Sequence, residues 1–196
     1  PTGQYVFIAT SGEVRAYAIN AADGSLTATS AFAAPSTGTI STITADPLGR
    51  FLAVGTGFGG PPQLDLHEFT TTTPTLAPAG APLGSVCASA SAYIPVFAAD
   101  GAFVYVGCNS EGQAYAVAVN RTGGALGASG TGFPTGGSVG EGQQLAISAD
   151  GKFVFHVSSS LNGYSLDSAT GIGTLIPGSP FVGDVTFSIT NPLAIH

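Results

Sequence analysis

The chain repeats itself four times, and that repetition limits its fold more than any other feature. Leu26, Leu76, Leu126 and Leu175 stand at intervals of 50, 50 and 49 residues. Each lies in a comparable stretch: GSLTATSAF (24–32), PTLAPAGAP (74–82), GALGASGTGF (124–133) and GTLIPGSPF (173–181). Three further sets share the period. The first is YVFIAT (5–10), FLAVGT (51–56), FVYVGC (103–108) and FVFHVS (153–158). The second is VRAYAIN (14–20), LDLHEFT (64–70), AYAVAVN (114–120) and NGYSLD (162–167). The third is ISTITAD (40–46), IPVFAAD (94–100), QLAISAD (144–150) and VTFSITN (185–191).

These segments predict strands. They are short, rich in β-branched and aromatic residues, and bounded by Gly, Pro, Ser, Asn or Asp. Four strands per unit at this period is the pattern of a β-propeller blade. The run Phe103-Val104-Tyr105-Val106 is apolar at every position, as a strand covered on both faces must be. The inner strands of a propeller lie between blades and meet that condition. The sequence therefore predicts an all-β, four-blade propeller with four antiparallel strands per blade, in one domain over 1–196, with repeats at 3–48, 49–100, 101–150 and 151–196. The chain enters on a second strand and leaves on a first strand, VTFSITNP, so Asn191-Pro192 falls where Asp46-Pro47 falls in the second repeat. The C-terminal strand is expected to close the N-terminal blade and remove an open sheet edge. Four blades then form a ring alone, share an eight-bladed ring with a second chain, or belong to a longer propeller.

Several segments carry a family likeness. The pattern Asp-(Pro)-x-Gly-Lys/Arg-Phe-Leu/Val-Tyr-Val, a Tyr-x-Ile/Leu-Asn/Asp strand, and Thr/Gly-x-Leu-x-x-x-x-Gly-x-Pro-Phe resembles the lactonase-type β-propellers, which include 6-phosphogluconolactonase-like and Tyr-Val-Thr-Asn repeat proteins. ADGKFVFHVSSSLNGYSLD and GTLIPGSPFVG carry it best. The resemblance implies the propeller fold. For enzymatic members it also implies a polar central pocket of His, Arg and acidic residues. Here Asp46, Asp100 and Asp150 fall in turns, and Asp23 and Asp167 follow outer strands.

Composition narrows the partners. Charged residues make up 8% of the chain, against about 25% in ordinary soluble domains. The net charge is −7, and the only cations are Arg15, Arg50, Arg121 and Lys152. Nucleic acid and anionic membranes need clustered Lys and Arg, so neither is an expected partner. No apolar run reaches the roughly 18 residues of a membrane helix, so no membrane insertion is expected. Few Lys, no Met or Trp and abundant Ser, Thr and Gly suit an extracellular or cell-surface protein, and the Pro-Thr-Gly start reads as a mature or trimmed product. Little like-charge repulsion keeps copies apart, so self-association is expected. A small-molecule or glycan ligand stays open, with Phe58 and Tyr93 as the aromatics for a glycan.

Candidate residues are few. Cys87 precedes the first strand of its blade and Cys108 ends the second, so antiparallel pairing places both at one face, where a disulfide is expected in an oxidising location. His156 replaces the aliphatic Ile8, Val54 and Val106 of the other repeats. It is either a satisfied core histidine or, with Glu141, a weak acid/base candidate for catalysis. His67, beside Asp65 and Glu68, is expected at the surface, and His196 is terminal. Asn120-Arg121-Thr122 is a glycosylation candidate. GTGFGG (55–60) precedes Pro61-Pro62 where a dinucleotide site needs a helix, and GGSVG (136–140) lacks a strand-to-helix elbow. No metal site and no cofactor are expected. The sequence leans against catalysis: it predicts a secreted, non-catalytic structural or interaction propeller, able to assemble into a ring, layer or fibre. The alternatives are a lactonase-like or cyclase-like hydrolase and a glycan-binding propeller.

Overall fold

The computed structural model describes residues 3–35, 37–57, 60–84, 86–87, 93–108, 111–135, 144–157 and 160–181. No helix forms among them. The first blade comprises β1 (Tyr5–Ala9), β2 (Val14–Ile19) and β3 (Leu26–Ala33), and the second β4 (Thr39–Ala45), β5 (Phe51–Gly57), β6 (Leu64–Thr70) and β7 (Thr75–Pro78). The third comprises β8 (Tyr93–Phe97), β9 (Phe103–Cys108), β10 (Gln113–Asn120) and β11 (Ala125–Ser129), with the short β12 (Phe133–Pro134) also on β10. The fourth comprises β13 (Gln144–Ile147), β14 (Phe153–Val157), β15 (Leu161–Leu166) and β16 (Gly173–Leu175). Each blade is antiparallel in simple sequence order, as the repeats predict. The expected closing strand at 185–191 lies outside the described residues.

The blades are held by the seams between them. β5 is buried along its whole length. Its alternate side chains point opposite ways. Leu52 and Val54 pack with Val14 and Ala16 of the first blade, while Phe51 and Ala53 pack with Val104 and Val106 of the third. Phe69 drives into the first seam, its ring centroid 4.8 Å from Tyr5 and 5.1 Å from Phe7, both edge-on. Tyr105, Phe133, Val154 and Tyr164 fill the seam between the third and fourth blades. The second and third blades come close together at Gly55, where the Tyr93 carbonyl and the Pro95 ring occupy the space a Cβ would need. The Ser41 hydroxyl lies 2.9 Å from the Gly55 carbonyl oxygen and 2.6 Å from that of Tyr93, tying the same point.

The turns between first and second strands, where the sequence places Asp46, Asp100 and Asp150, share one form. Each is a four-residue turn, Asp46–Gly49, Ala98–Gly101 and Ser148–Gly151, in which the glycine N–H donates to the first residue's carbonyl at 2.8–2.9 Å. The glycines take the left-handed φ of 82°, 67° and 72°. Asp46 is therefore the first residue of its turn, whereas Asp100 and Asp150 are the third.

That displacement gives Asp46 a separate job. It is fully buried and accepts a hydrogen bond from Arg121 Nη2 of the third blade at 2.8 Å and from the Leu48 N–H at 3.0 Å. Arg121 also donates to the Gly101 carbonyl at 3.2 Å. Arg50 reaches back to the Arg121 carbonyl and pairs with Glu68 at 2.8 Å. Both guanidinium groups lie over the Phe51 ring, at 4.7 and 5.5 Å. Burial opposes the Asp46 charge, but the Arg121 hydrogen bond and charge with the Leu48 and Arg50 N–H groups outweigh it and hold the pKa below the ordinary carboxylate value.

Removing one partner of a buried pair strands the other. Arg121→Ala is expected to lower unfolding free energy by about 3 kcal/mol, read by urea denaturation at pH 7. With the folded pKa depressed, the pair's contribution is present above the unfolded value near 4 and fades as pH falls through the folded one, so the gap between wild type and variant closes in acid.

Candidate functional site

Antiparallel register sorts the loops onto two faces. The four-residue turns and the links at 20–25, 71–74, 121–124 and 167–172 form a turn face. The ends of β1, β5, β9 and β14, the starts of β2, β6, β10 and β15, and the crossings between blades form the opposite, loop face. The polar side chains that bear chemistry divide accordingly.

His156 lies near the loop-face end of β14, opposite Asn162 of β15, and faces the third blade. It is fully buried. Its Nδ1 lies 3.0 Å from the Thr135 carbonyl oxygen. A carbonyl only accepts, so Nδ1 carries the proton and Nε2 bears the lone pair. Nε2 and the Thr135 hydroxyl both lack a hydrogen-bond partner among the described residues. Burial lowers the pKa of His156 to about 4, against a raising contribution from the Thr135 carbonyl. The imidazole is neutral at pH 7, locked in one tautomer, with an open acceptor. That is the form in which a histidine takes a proton or ligates a metal. Glu141, its sequence-stated companion, lies outside the described residues, as does His196.

His67 corrects an expectation. The sequence places it at the surface beside Asp65 and Glu68, yet His67 and Asp65 are buried in the seam toward the first blade while Glu68 pairs with Arg50. Neither ring nitrogen of His67 has a hydrogen-bond partner among the described residues. Burial lowers its pKa, and the Asp65 charge opposes that shift.

Tyr93 corrects another. It is fully buried, not an exposed glycan platform. Its phenolic oxygen accepts from the N–H groups of Val86 and Cys87 at 3.1 and 3.2 Å and donates to the Gly84 carbonyl at 3.3 Å. The second aromatic named for a glycan, Phe58, is outside the described residues. Cys87 and Cys108 are joined, with Cα atoms 5.7 Å apart. The bond fastens the segment before β8 to the end of β9. Glu111 brings a ligand atom within 4.8 Å of both sulfurs, but sulfurs bonded to each other present no thiolate, and the Glu111 carboxylate accepts from the Tyr115 hydroxyl at 3.0 Å.

Asn120 is exposed on the turn face, and its side-chain oxygen accepts from the N–H groups of Thr122 and Gly123 at 3.1 and 2.9 Å. Neither glycine-rich match forms a site among the described residues: Gly55–Gly57 belong to β5 and no helix follows, and 136–140 lies outside them.

No protein-family model matches the chain, and no curated protein matches it by sequence. Solved structures do. A protein assigned as a 6-phosphogluconolactonase from Bacteroides uniformis superposes with a TM-score of 0.74 at 17% identity, covering 90% of this chain and 51% of that one. The periplasmic gluconolactonase of Pseudomonas aeruginosa gives 0.66 at 21% identity, with 88% and 53% covered. A β-propeller domain from Myceliophteria thermophila gives 0.58 at 12%, with 86% and 50% covered. The fold is that of the lactonase-type β-propellers. The chain spans about half the length of these structures. The expectation of a non-catalytic module is overturned by the same comparison: the lactonase-type structures that share this fold are named for lactone hydrolysis.

Two predictions follow the geometry. A histidine with a depressed folded pKa leaves more protons on the unfolded chain, so its contribution to stability is full above the unfolded value near 6.5 and is lost as pH falls toward the folded one. Unfolding free energy is expected to drop by about 2.4 kcal/mol between pH 7 and pH 4.5, and His156→Gln is expected to flatten that slope in urea titrations. The disulfide joins residues 21 apart. Reducing it, or Cys108→Ser, is expected to remove about 3 kcal/mol and to expose 84–87 to proteolysis first.

Proposed function

We propose that the chain hydrolyses a lactone of an uncharged sugar acid at its loop face. What supports this is the neutral, tautomer-fixed His156 with its bare Nε2, set in a fold whose relatives include a periplasmic gluconolactonase. His156 accepts the proton of the attacking water, and the resulting hydroxide adds to the lactone carbonyl. Collapse of the tetrahedral oxyanion breaks the ring C–O bond, and the leaving ring oxygen takes the proton back from His156, which gives the open-chain acid and restores the neutral imidazole. A base with a pKa near 4 is feeble at pH 7, so substrate entry that admits water beside Nε2 restores basicity.

The distribution of cations sets the preference for an uncharged substrate. A phosphorylated lactone needs a cationic partner at its phosphate. Arg50, Arg121 and Lys152 belong to the turn face, where they pair with Glu68, Asp46 and Asp150. Arg15 lies near the loop-face end of the first blade, where Glu13 neutralises it. These four are all the cations of the chain. The buried Cys87–Cys108 bond suits an extracytoplasmic location.

Glucono-δ-lactone opening, followed by proton release above the spontaneous rate, tests the reading. Wild type is expected to accelerate it, His156→Ala to lose about 100-fold in kcat, and the 6-phosphorylated lactone to react more slowly. No acceleration by wild type sinks the lactonase reading. Equal rates in the two proteins remove His156 from the chemistry.

A further inference from the structure

Cys87, Cys108 and Glu111 stand together near the loop face, and each is held there by contacts other than the disulfide. Cys108 closes β9, with Tyr93 of β8 opposite it on one side and Gln113 of β10 on the other. Two residues separate Cys108 from Glu111, and the Glu111 N–H donates to the Cys108 carbonyl at 3.2 Å. That turn has the Cys-x-x-ligand spacing of a zinc knuckle. The Tyr115 hydroxyl donates to the Glu111 carboxylate at 3.0 Å and orients it. Cys87 arrives from the other direction. Its N–H donates to the Tyr93 hydroxyl at 3.2 Å, and nearby Leu83 exchanges two backbone hydrogen bonds with Leu64, both of 2.9 Å. One ligand atom from each of the three residues thus lies within 4.8 Å of the other two.

Parting the two sulfurs turns this set into a metal site. Reduction by a dithiol breaks the S–S bond, leaves a thiol on each cysteine and converts the dithiol to its own disulfide. Four-coordinate zinc holds thiolate sulfurs at about 2.3 Å and a carboxylate oxygen at about 2.1 Å, which sets the sulfurs about 3.8 Å apart and each about 3.6 Å from the oxygen. Cα atoms 5.7 Å apart accommodate that separation by side-chain rotation. Glu111 is half-buried, so solvent reaches the edge of the site and supplies the fourth ligand. Two thiolates select a thiophilic ion over calcium or magnesium, which take oxygen ligands. Zinc binds the thiolates, so one proton leaves each thiol.

We infer that Cys87, Cys108 and Glu111 bind one zinc ion in the reduced chain, and that the disulfide takes its place on oxidation. Either link ties the segment before β8 to the end of β9. The inference stands apart from the lactone reading, because His156 takes no part in it.

The test uses the intact chain, reduced with a dithiol under argon, desalted, mixed with zinc chloride and desalted again before its zinc is counted. One zinc per chain is expected after reduction and none in the oxidised protein. Zinc is expected to raise the urea midpoint of the reduced chain and to restore protection of 84–87 against proteolysis, with neither effect on the oxidised chain. Cobalt in its place is expected to give thiolate-to-metal charge-transfer absorption. Tyr115→Phe, which removes only the orienting hydroxyl, is expected to weaken binding by about 10-fold, and Glu111→Gln by more. Zinc held equally by the oxidised chain, or by the Cys87→Ser/Cys108→Ser double variant, would place the ion on other residues and overturn the inference. A reduced chain that retains no zinc, folded or unfolded, would overturn it as well. Binding unchanged in Glu111→Gln would overturn the three-residue site.

Discussion

Everything else in the structure depends on burying both faces of the inner strands. A two-sided apolar strand such as Phe51–Gly57 cannot stand at a surface. Burial at roughly 25 cal/mol per Å² makes the seam the dominant favourable contribution. Each blade contributes one face to its predecessor and one to its successor, so no blade has a complete core alone. That is why the repeat has to recur, and why side chains alternate between two neighbours: Leu52 and Val54 toward one, Phe51 and Ala53 toward the other. The small residues follow from the same demand, since Gly55 sits where two backbones touch.

Polar groups are admitted to the seams on strict terms. On the turn face the buried Asp46 is matched by Arg121, and the pair bridges two blades over the Phe51 ring. Elsewhere in the seams, matching is incomplete. His156 has one ring nitrogen satisfied, and His67 neither, among the described residues. A buried polar group without a partner costs stability, and natural folds keep such groups where chemistry uses them. The matched Asp46–Arg121 pair therefore ties two blades together at the turn face, while His156 keeps an open acceptor near the loop face.

Much of this was legible in the sequence. The period of the repeats, the strands within them and the fully apolar inner strands all follow from local pattern. The Cys87 and Cys108 positions fall on one face for the same reason. What could not be read is what depends on a partner distant in the chain. Asp46 and Asp100 look alike in sequence, and only the turn register shows that one begins its turn and the other is third. Arg121 finds Asp46 across 75 residues. His67 reads as a surface residue because Asp65 and Glu68 flank it, yet alternation turns 65 and 67 into a seam. Tyr93 reads as an aromatic in a loop, and its phenol instead anchors that loop. The functional reading failed for a related reason. Few acids outside turns argued against catalysis, but charge counts do not register a neutral histidine whose tautomer is fixed by a carbonyl, nor the fold shared with lactonases.

Amide hydrogen exchange resolved by strand tests the central claim most directly. If the seams hold the fold, β5 and β9, covered on both sides, exchange slowest and through global unfolding, while β3, β7, β11 and β16 at the outer margin exchange faster through local opening. Outer strands as slow as β5 and β9 would contradict the account, because stability would then reside within each blade and not between them.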